Sequence, residues 1–203
     1  MSAQPQPRLT PEEYLELDRA ADFRSEYYDG QMYAMSGGSP THGRIIGNLT
    51  GELHIALKNG PCDVIPNDLR LRVSPAGLYT FPDVVVVGGE MKFADARNDT
   101  LTNPTALAEV LSPSTEAYDR GFKSAQYRTI ESLEEYAFVS QREPRVEVYR
   151  RQPAGGWLLK EFTGLESVCR FESLHCEIAL AELYAQVVFG AETALPPRPP
   201  RDQ

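Results

Sequence analysis

Four consecutive valines, Val84–Val87, constrain this chain more than any other stretch. A β-branched side chain at every position leaves neither face of a strand polar, so the segment reads as a strand buried on both sides. It opens on Phe81-Pro82-Asp83, which puts a carboxylate at the mouth of an apolar strand. A second short apolar run covers residues 105–111 and carries Glu109 inside its pattern. An acid so placed is costly unless it meets a cation. The helix-like segment that follows carries Lys123.

Around these runs the chain alternates helical and strand signals. Thr10-Pro11-Glu12-Glu13 has the form of a capping box with proline at the first helical position, and Tyr14, Leu15 and Leu17 are its apolar contacts. The helix ends before Asp22. Residues 25–35 read as a hairpin turning at Asp29-Gly30. Ser39-Pro40 starts a second helix, in which Ile45, Ile46, Leu49, Leu53 and Leu57 recur at helical spacing until Gly60-Pro61. Short strands are expected at 62–65 and 69–73, with a turn at Pro75-Ala76-Gly77. Residues 88–104 read as a polar loop. A helix is expected from Ser112-Pro113-Ser114-Thr115 to about Ile130, then strands at 135–140, 145–150 and 157–162, and a last helix at 181–188. Residues 191–203, with Pro196-Pro197-Arg198-Pro199-Pro200, read as a disordered tail. The order predicts an α/β (α+β) domain, residues 1–190, built on one central mixed sheet flanked by helices.

Several classes are excluded or disfavoured. No stretch reaches the roughly 18 apolar residues of a membrane helix, and residues 1–7 lack the pattern of a signal peptide. The three cysteines, Cys62, Cys169 and Cys176, have no metal-ligand spacing, and a reducing cytoplasm is the simplest setting. A net charge of -9 argues against a general nucleic-acid-coating surface. A local basic groove stays open, because Arg120, Lys123, Arg128, Arg142, Arg145, Arg150 and Arg151 crowd the second half. A solvated surface of mixed charge is the alternative.

If the strands of Asp83 and Glu109 pair, both carboxylates can project to one side, with Glu109 and Leu111 sharing a face. Oxygen-only ligands at a sheet edge suit Mg2+ or Mn2+. A neighbouring lysine can then stabilise charge developing on an attacked phosphate.

At these residues the chain resembles the PD-(D/E)XK nuclease superfamily, and more closely its Uma family of bacterial restriction-endonuclease-like proteins. The resemblance rests on Ser25-Glu26-Tyr27-Tyr28-Asp29-Gly30, Ser39-Pro40-Thr41-His42-Gly43 and Pro82-Asp83-Val84. It is fullest over Glu109-Val110-Leu111-Ser112-Pro113-Ser114-Thr115 and Tyr118-Asp119-Arg120-Gly121-Phe122-Lys123. It implies a restriction-endonuclease-like core with a divalent cation held by Asp83, Glu109 and the Val110 carbonyl, and with Glu26 approaching from the first hairpin. The commonest superfamily pattern puts its lysine two residues after the acid. Here that position is Leu111, and the Uma-like form takes Lys123 from the following helix instead. Asp119 and Tyr127 lie four residues to either side of Lys123 and can share its helical face. Tyr127 would orient Lys123 or contact phosphate.

Each residue also has a plainer role. Asp83 can cap a turn after Pro82, Glu109 can form a structural ion pair, Glu26 can be an exposed strand residue, and Lys123 a solvated one. His42 is a general base, a phosphate contact or only a helix-start residue; His54 and His175 read as structural. Tyr27, Tyr28 and Tyr33 suit core or interface better than base stacking. The leading expectation is a Mg2+- or Mn2+-dependent endonuclease acting on DNA. Its rivals are a catalytically inactive nucleic-acid- or protein-binding module on the same fold, and a hydrolase of another phosphoester. A homodimer is expected from the need to cover edge strands.

Overall fold

The computed structural model describes residues 8–35, 37–74 and 77–190. The Thr10 box forms as expected: Glu13 N–H donates to Thr10 Oγ1 at 3.2 Å and Thr10 N–H donates to Glu13 Oε2 at 2.7 Å. Helix α1 (Pro11–Ala20) buries Tyr14, Leu15 and Asp18. Leu17, expected among its contacts, is half exposed instead. Strands β1 (Ser25–Tyr28) and β2 (Gln31–Ala34) pair antiparallel around Asp29 and Gly30. Both turn residues have positive φ, +47° and +83°, as a two-residue hairpin turn demands.

Helix α2 (Pro40–Leu57) is capped by Ser39 and buries the five apolar residues at helical spacing. After it come β3 (Cys62–Pro66), β4 (Arg70–Arg72), β5 (Tyr79–Thr80), β6 (Val84–Gly88), β7 (Thr100–Leu101) and β8 (Ala106–Leu111). The C-terminal half holds β9 (Glu135–Ser140), β10 (Arg145–Arg151), β11 (Trp157–Thr163), β12 (Val168–Phe171) and β13 (Cys176–Ala179).

The strands divide into more than the one sheet expected. A six-stranded sheet has the order β11-β10-β9-β8-β6-β3, with β8 and β9 parallel and the other neighbours antiparallel. A five-stranded sheet has the order β2-β1-β5-β4-β7, and β12 pairs with β13 as a separate hairpin. The polar loop at 88–104 is not structureless: β7 lies in it and pairs parallel with β4 at the edge of the second sheet. The buried guanidinium of Arg70 joins that sheet to α1, donating to Asp18 at 2.6 Å and to Thr100 Oγ1 at 3.0 Å.

Val84–Val87 are all buried, and their alternation explains why none is polar. Val84 and Val86 pack against α2 with Ala106, Ala108 and Val110, while Val85 and Val87 face the second sheet with Leu71, Leu107 and Leu111. Full burial of a valine side chain contributes roughly 1.5–3 kcal/mol. Both faces of the strand therefore stabilise the fold.

The segment after β8 departs from one continuous helix. It runs as α3 (Glu116–Tyr118), a π-helical turn over Asp119–Lys123, and α4 (Ser124–Tyr127). It stops short of Ile130. The last helix is also shorter than expected, α5 (Leu180–Leu183), and Gln186 at φ +60° lies beyond its end. The expected tail at 191–203, the N-terminal seven residues and most of the Pro75-Ala76-Gly77 turn lie outside the described residues. No helix among the described residues is long and apolar enough to cross a membrane.

Candidate active site

Strand pairing brings the two carboxylates together. The β6–β8 register runs Val84↔Ala108 and Val86↔Ala106, so one step further Asp83 stands opposite Glu109. Asp83 Oδ2 accepts the Val110 N–H at 2.8 Å, extending the ladder past the end of β6 with a side chain. Glu109 shares the face of Leu107 and Leu111, the face that meets the second sheet.

Into that face the π turn delivers Lys123. Both Asp119 and Lys123 are buried, and Lys123 Nζ lies 2.8 Å from Glu109 Oε1 and 3.5 Å from Asp119 Oδ1. Four residues on, the buried Tyr127 hydroxyl donates to the same Glu109 oxygen. Both contacts fall on Oε1. Glu26 closes the cluster from β1, with Oε1 at 3.5 Å from Lys123 Nζ. Thr80 of β5 donates to Glu26 Oε1 and Tyr118 to its Oε2 at 3.1 Å. The cluster thus joins both sheets: Glu26 and Thr80 come from one, Asp83 and Glu109 from the other.

On the opposite side of β8, His42 sits in the first turn of α2. Its N–H donates to Ser39 Oγ at 3.1 Å, the helix cap. Its Nε2 lies 3.1 Å from the Val110 carbonyl oxygen and 3.3 Å from Asp83 Oδ2.

Burial sets the electrostatics. It pushes the Glu109 carboxyl above the ordinary carboxylate range, against the pull of Lys123, with Asp83 and Asp119 adding to the rise. Burial disfavours charge on Lys123, but Glu109, Tyr127, Glu26 and Asp119 outweigh it and hold the ammonium well above its usual value. Burial likewise raises Asp119, with Lys123 opposing, and raises Tyr127 together with Glu109. Burial opposes protonation of His42, yet Asp83 and the Val110 carbonyl leave its value raised.

The structure gathers Glu26, Glu109, Lys123 and Tyr127 into one buried cluster, joins Asp83 to it through the strand pair, and sets His42 behind Asp83 and Val110. Sequence reasoning missed Thr80 and Tyr118, which hold Glu26 from 54 and 92 residues away. Nothing local marks Thr80, while Tyr118 opens the stretch from Tyr118 to Lys123 that carries the resemblance but had no role read for it. The arginine-rich second half is largely self-paired: Arg120 and Arg145 bind Glu147, Arg150 binds Glu172, and Arg151 donates to backbone carbonyls. That arrangement is the mixed-charge surface rather than a basic groove. His54 and His175 are exposed, apart from the cluster.

Among the described residues, no three His, Cys, Asp or Glu side chains already converge as a metal cage. The donor chemistry nonetheless fits a divalent cation. Asp83 and Glu109 stand opposite each other on adjacent strands, Asp83 bonds the Val110 N–H, and Glu26 reaches the same lysine as Glu109 from the second sheet, so the carboxylates supply hard oxygens.

Four similarities to known proteins bear on this geometry. The model of the Uma2 family, described as "Putative restriction endonuclease", matches residues 11–182. Two proteins of Synechocystis sp. (strain ATCC 27184 / PCC 6803 / Kazusa), both described as uncharacterized, are similar along most of their length. One, slr1290, is 34% identical over 189 residues, covering 91% of this chain and 96% of that protein. The other, sll1609, is 35% identical over 163 residues, covering 80% and 92%. The fold matches the crystal structure of "a putative nuclease belonging to DUF820" from Anabaena variabilis ATCC 29413. The TM-score is 0.72 at 17% identity, over 89% of this chain and 99% of that one.

Proposed function

Because this chain belongs to the Uma2 family, we propose that it is a nuclease that hydrolyses DNA phosphodiester bonds with Mg2+ or Mn2+ as cofactor. The observation that carries this reading is Lys123 Nζ at 2.8 Å from Glu109 Oε1, in a buried cluster where Asp83 stands opposite Glu109. Asp83, Glu109 and the Val110 carbonyl would hold the cation, with Glu26 bound directly or through water. When bound, the cation would make water a better nucleophile and offset charge on the phosphate.

The chain's own residues do the rest. Lys123 carries a fixed positive charge in a low-dielectric pocket, where a donor aimed at a developing oxyanion is most effective. Tyr127 holds Glu109 Oε1, so the carboxylate keeps its orientation when Lys123 turns toward a phosphate. Thr80 and Tyr118 hold Glu26 in the same way. The Asp83 bond to Val110 N–H fixes the strand end that presents the Val110 carbonyl.

A plasmid-nicking assay with Mg2+ or Mn2+ tests the reading, comparing the wild type with Asp83→Asn and Lys123→Ala. Cation-dependent nicking lost in both variants, each checked for folding by circular dichroism, is the expected result. Cation-dependent nicking that survives in Asp83→Asn would overturn it. A second reading, a non-catalytic nucleic-acid- or protein-binding module, is favoured by the closed ion-pair cluster, in which Lys123 and Glu109 already satisfy each other. Such a module would take up little Mn2+ at millimolar concentration. The proposal extends to a homodimer, for which the edge strands β11, with Leu158 and Leu159 exposed, and β2, with Tyr33 exposed, are candidate surfaces; light scattering giving a clean monomer mass would remove that part.

A further inference from the structure

Two exposed tyrosines flank Glu26, the acid that reaches Lys123 from the second sheet, and the hydrolysis described above uses neither ring. Tyr33 stands directly opposite Glu26 in the β1–β2 register, so both side chains leave the same face of that hairpin. Tyr118 comes from α3, and its hydroxyl donates to Glu26 Oε2 at 3.1 Å. We infer that Tyr33 and Tyr118 stack unpaired nucleobases next to the scissile phosphate, so that the substrate is single-stranded DNA or a locally unpaired strand. This deepens, and rests on, the reading that the cluster of Glu26, Asp83, Glu109 and Lys123 cuts DNA.

The rings are held from behind. Phe122 stacks on Tyr118 with centroids 5.4 Å apart and planes 18° apart, and Tyr28 meets Phe122 edge-on at 4.6 Å and 76°. Tyr28 lies two residues from Glu26, on the same face of β1. With its hydroxyl bonded and one face against Phe122, Tyr118 is still 37% exposed, so the open area belongs to its other face and edge. Tyr33 is 48% exposed, its hydroxyl donates to Gln31 Oε1 at 2.7 Å, and among the described residues no ring lies against it. Tyr27, by contrast, is buried against Tyr14 and Tyr79, as a core tyrosine should be. A ring already fixed at its hydroxyl loses little freedom when a base covers it. Charge points the same way. Duplex affinity draws heavily on Lys and Arg at phosphates, yet the chain carries a net charge of -9 and Arg120, Arg145 and Arg150 are paired to glutamates. Stacking needs neither a free cation nor a particular base, but it needs a base taken out of the duplex stack.

The test measures DNA binding to the full chain by fluorescence anisotropy, with Ca2+ replacing the catalytic cation, and plasmid nicking in parallel. The probes are a labelled single strand, its duplex, and the same strand carrying abasic sites, which keep the phosphates and lose the bases. The wild type should prefer the single strand to both others. Tyr118→Leu and Tyr33→Leu, each checked for folding by circular dichroism, should weaken single-strand binding roughly 5- to 100-fold, the worth of one stacked base, and duplex binding little. Tyr118→Phe keeps the ring and loses only the bond to Glu26, so it should bind the single strand like the wild type. The abasic strand should bind the wild type and both leucine variants alike. Equal wild-type affinity for all three probes, with cation-dependent nicking intact, would overturn the inference and leave the nuclease reading standing. Tyr118→Leu weakened equally on all three probes would do the same, making that tyrosine a support for Glu26 alone. A mass that falls in Tyr33→Leu by light scattering, with single-strand binding unchanged, would put Tyr33 in a dimer contact and overturn its part. No binding of any probe and no nicking by the wild type would overturn the nuclease reading itself, and the inference with it.

Discussion

Lys123 Nζ and Glu109 Oε1 are 2.8 Å apart, and each side chain is only 6% exposed. Neither charge has water to fall back on. Removing one partner of a buried pair costs about 3–5 kcal/mol, because the other charge is stranded, while replacing both by apolar groups is often neutral. Lys123→Met should therefore be destabilised by about that amount in urea denaturation, and Lys123→Met with Glu109→Leu should recover most of it. If the single variant unfolds like the wild type, the pair is solvated in solution and Lys123 is an ordinary surface lysine.

Tyr127 is wholly buried, and its hydroxyl meets the same Glu109 oxygen as Lys123. Tyr127→Phe keeps the ring's packing against Leu107 and Leu111 and deletes only the donor. Glu109 keeps its lysine, so the cost should be about 1.5–3 kcal/mol, the scale of a hydrogen bond to a charged group. Guanidinium denaturation measures it. Affinity for Mn2+ should also fall in Tyr127→Phe, since Glu109 loses one of its two restraints. An unchanged affinity would make the tyrosine a packing residue alone.

What the sequence revealed follows from where each signal is local. The valine run, the five apolar residues of α2 and the Asp29-Gly30 turn act over a few residues, and each appears where the pattern placed it. Glu109 stood out because an acid within an apolar run has few ways to be stable; Lys123 stood out only through the family resemblance. The π turn was not legible, since nothing in Asp119-Arg120-Gly121-Phe122-Lys123 tells an i→i+5 turn from a helical one. Strands β5 and β7 are two residues each, too short to show alternation. The β12–β13 hairpin does alternate, with Cys169 and Phe171 buried between exposed Val168 and Arg170. Its turn has no glycine, and His175 takes positive φ in its place. Instead, the buried Glu135 carboxylate holds that turn, accepting the Glu172 and Ser173 N–H groups at 3.0 and 3.1 Å. That partner comes from β9, beyond the reach of local pattern.

The hairpin turn supplies a backbone test. Gly30 has φ +83°, and a Cβ there would lie 2.5 Å from the Arg8 Cβ. A left-handed conformation costs a non-glycine residue roughly 1–2 kcal/mol before any clash. Gly30→Ala should therefore lower stability by at least about 1 kcal/mol, read as a fall in Tm. Asp29→Asn is the control: asparagine tolerates positive φ, and only the exposed Arg8 pair is lost. Equal melting of Gly30→Ala and the wild type would mean that the turn adopts another form.

The last test concerns pH and the seam between α1 and the 88–104 segment. Arg19 grips Asp99 with two bonds, Nε to Oδ2 at 2.7 Å and Nη2 to Oδ1 at 2.6 Å, and donates to Asp95 as well. Those Arg19 bonds, against a smaller opposing effect of burial, lower the Asp99 carboxyl from 3.8 to about 2. A folded-state value below the unfolded one means that the unfolded chain binds the proton first as pH falls. The contribution of Asp99 is therefore fully present above about pH 4 and is lost progressively toward pH 2. The side chain is 37% exposed, so water and salt screen the pair. Its worth at neutral pH should be no more than about 1 kcal/mol. Asp99→Asn should lower the urea midpoint at pH 6 and narrow the gap to the wild type as pH drops through 3, with added NaCl narrowing it at pH 6 too. A gap that stays constant from pH 6 to pH 3 would show that the substitution acts through packing and that the Arg19–Asp99 charge pair contributes nothing.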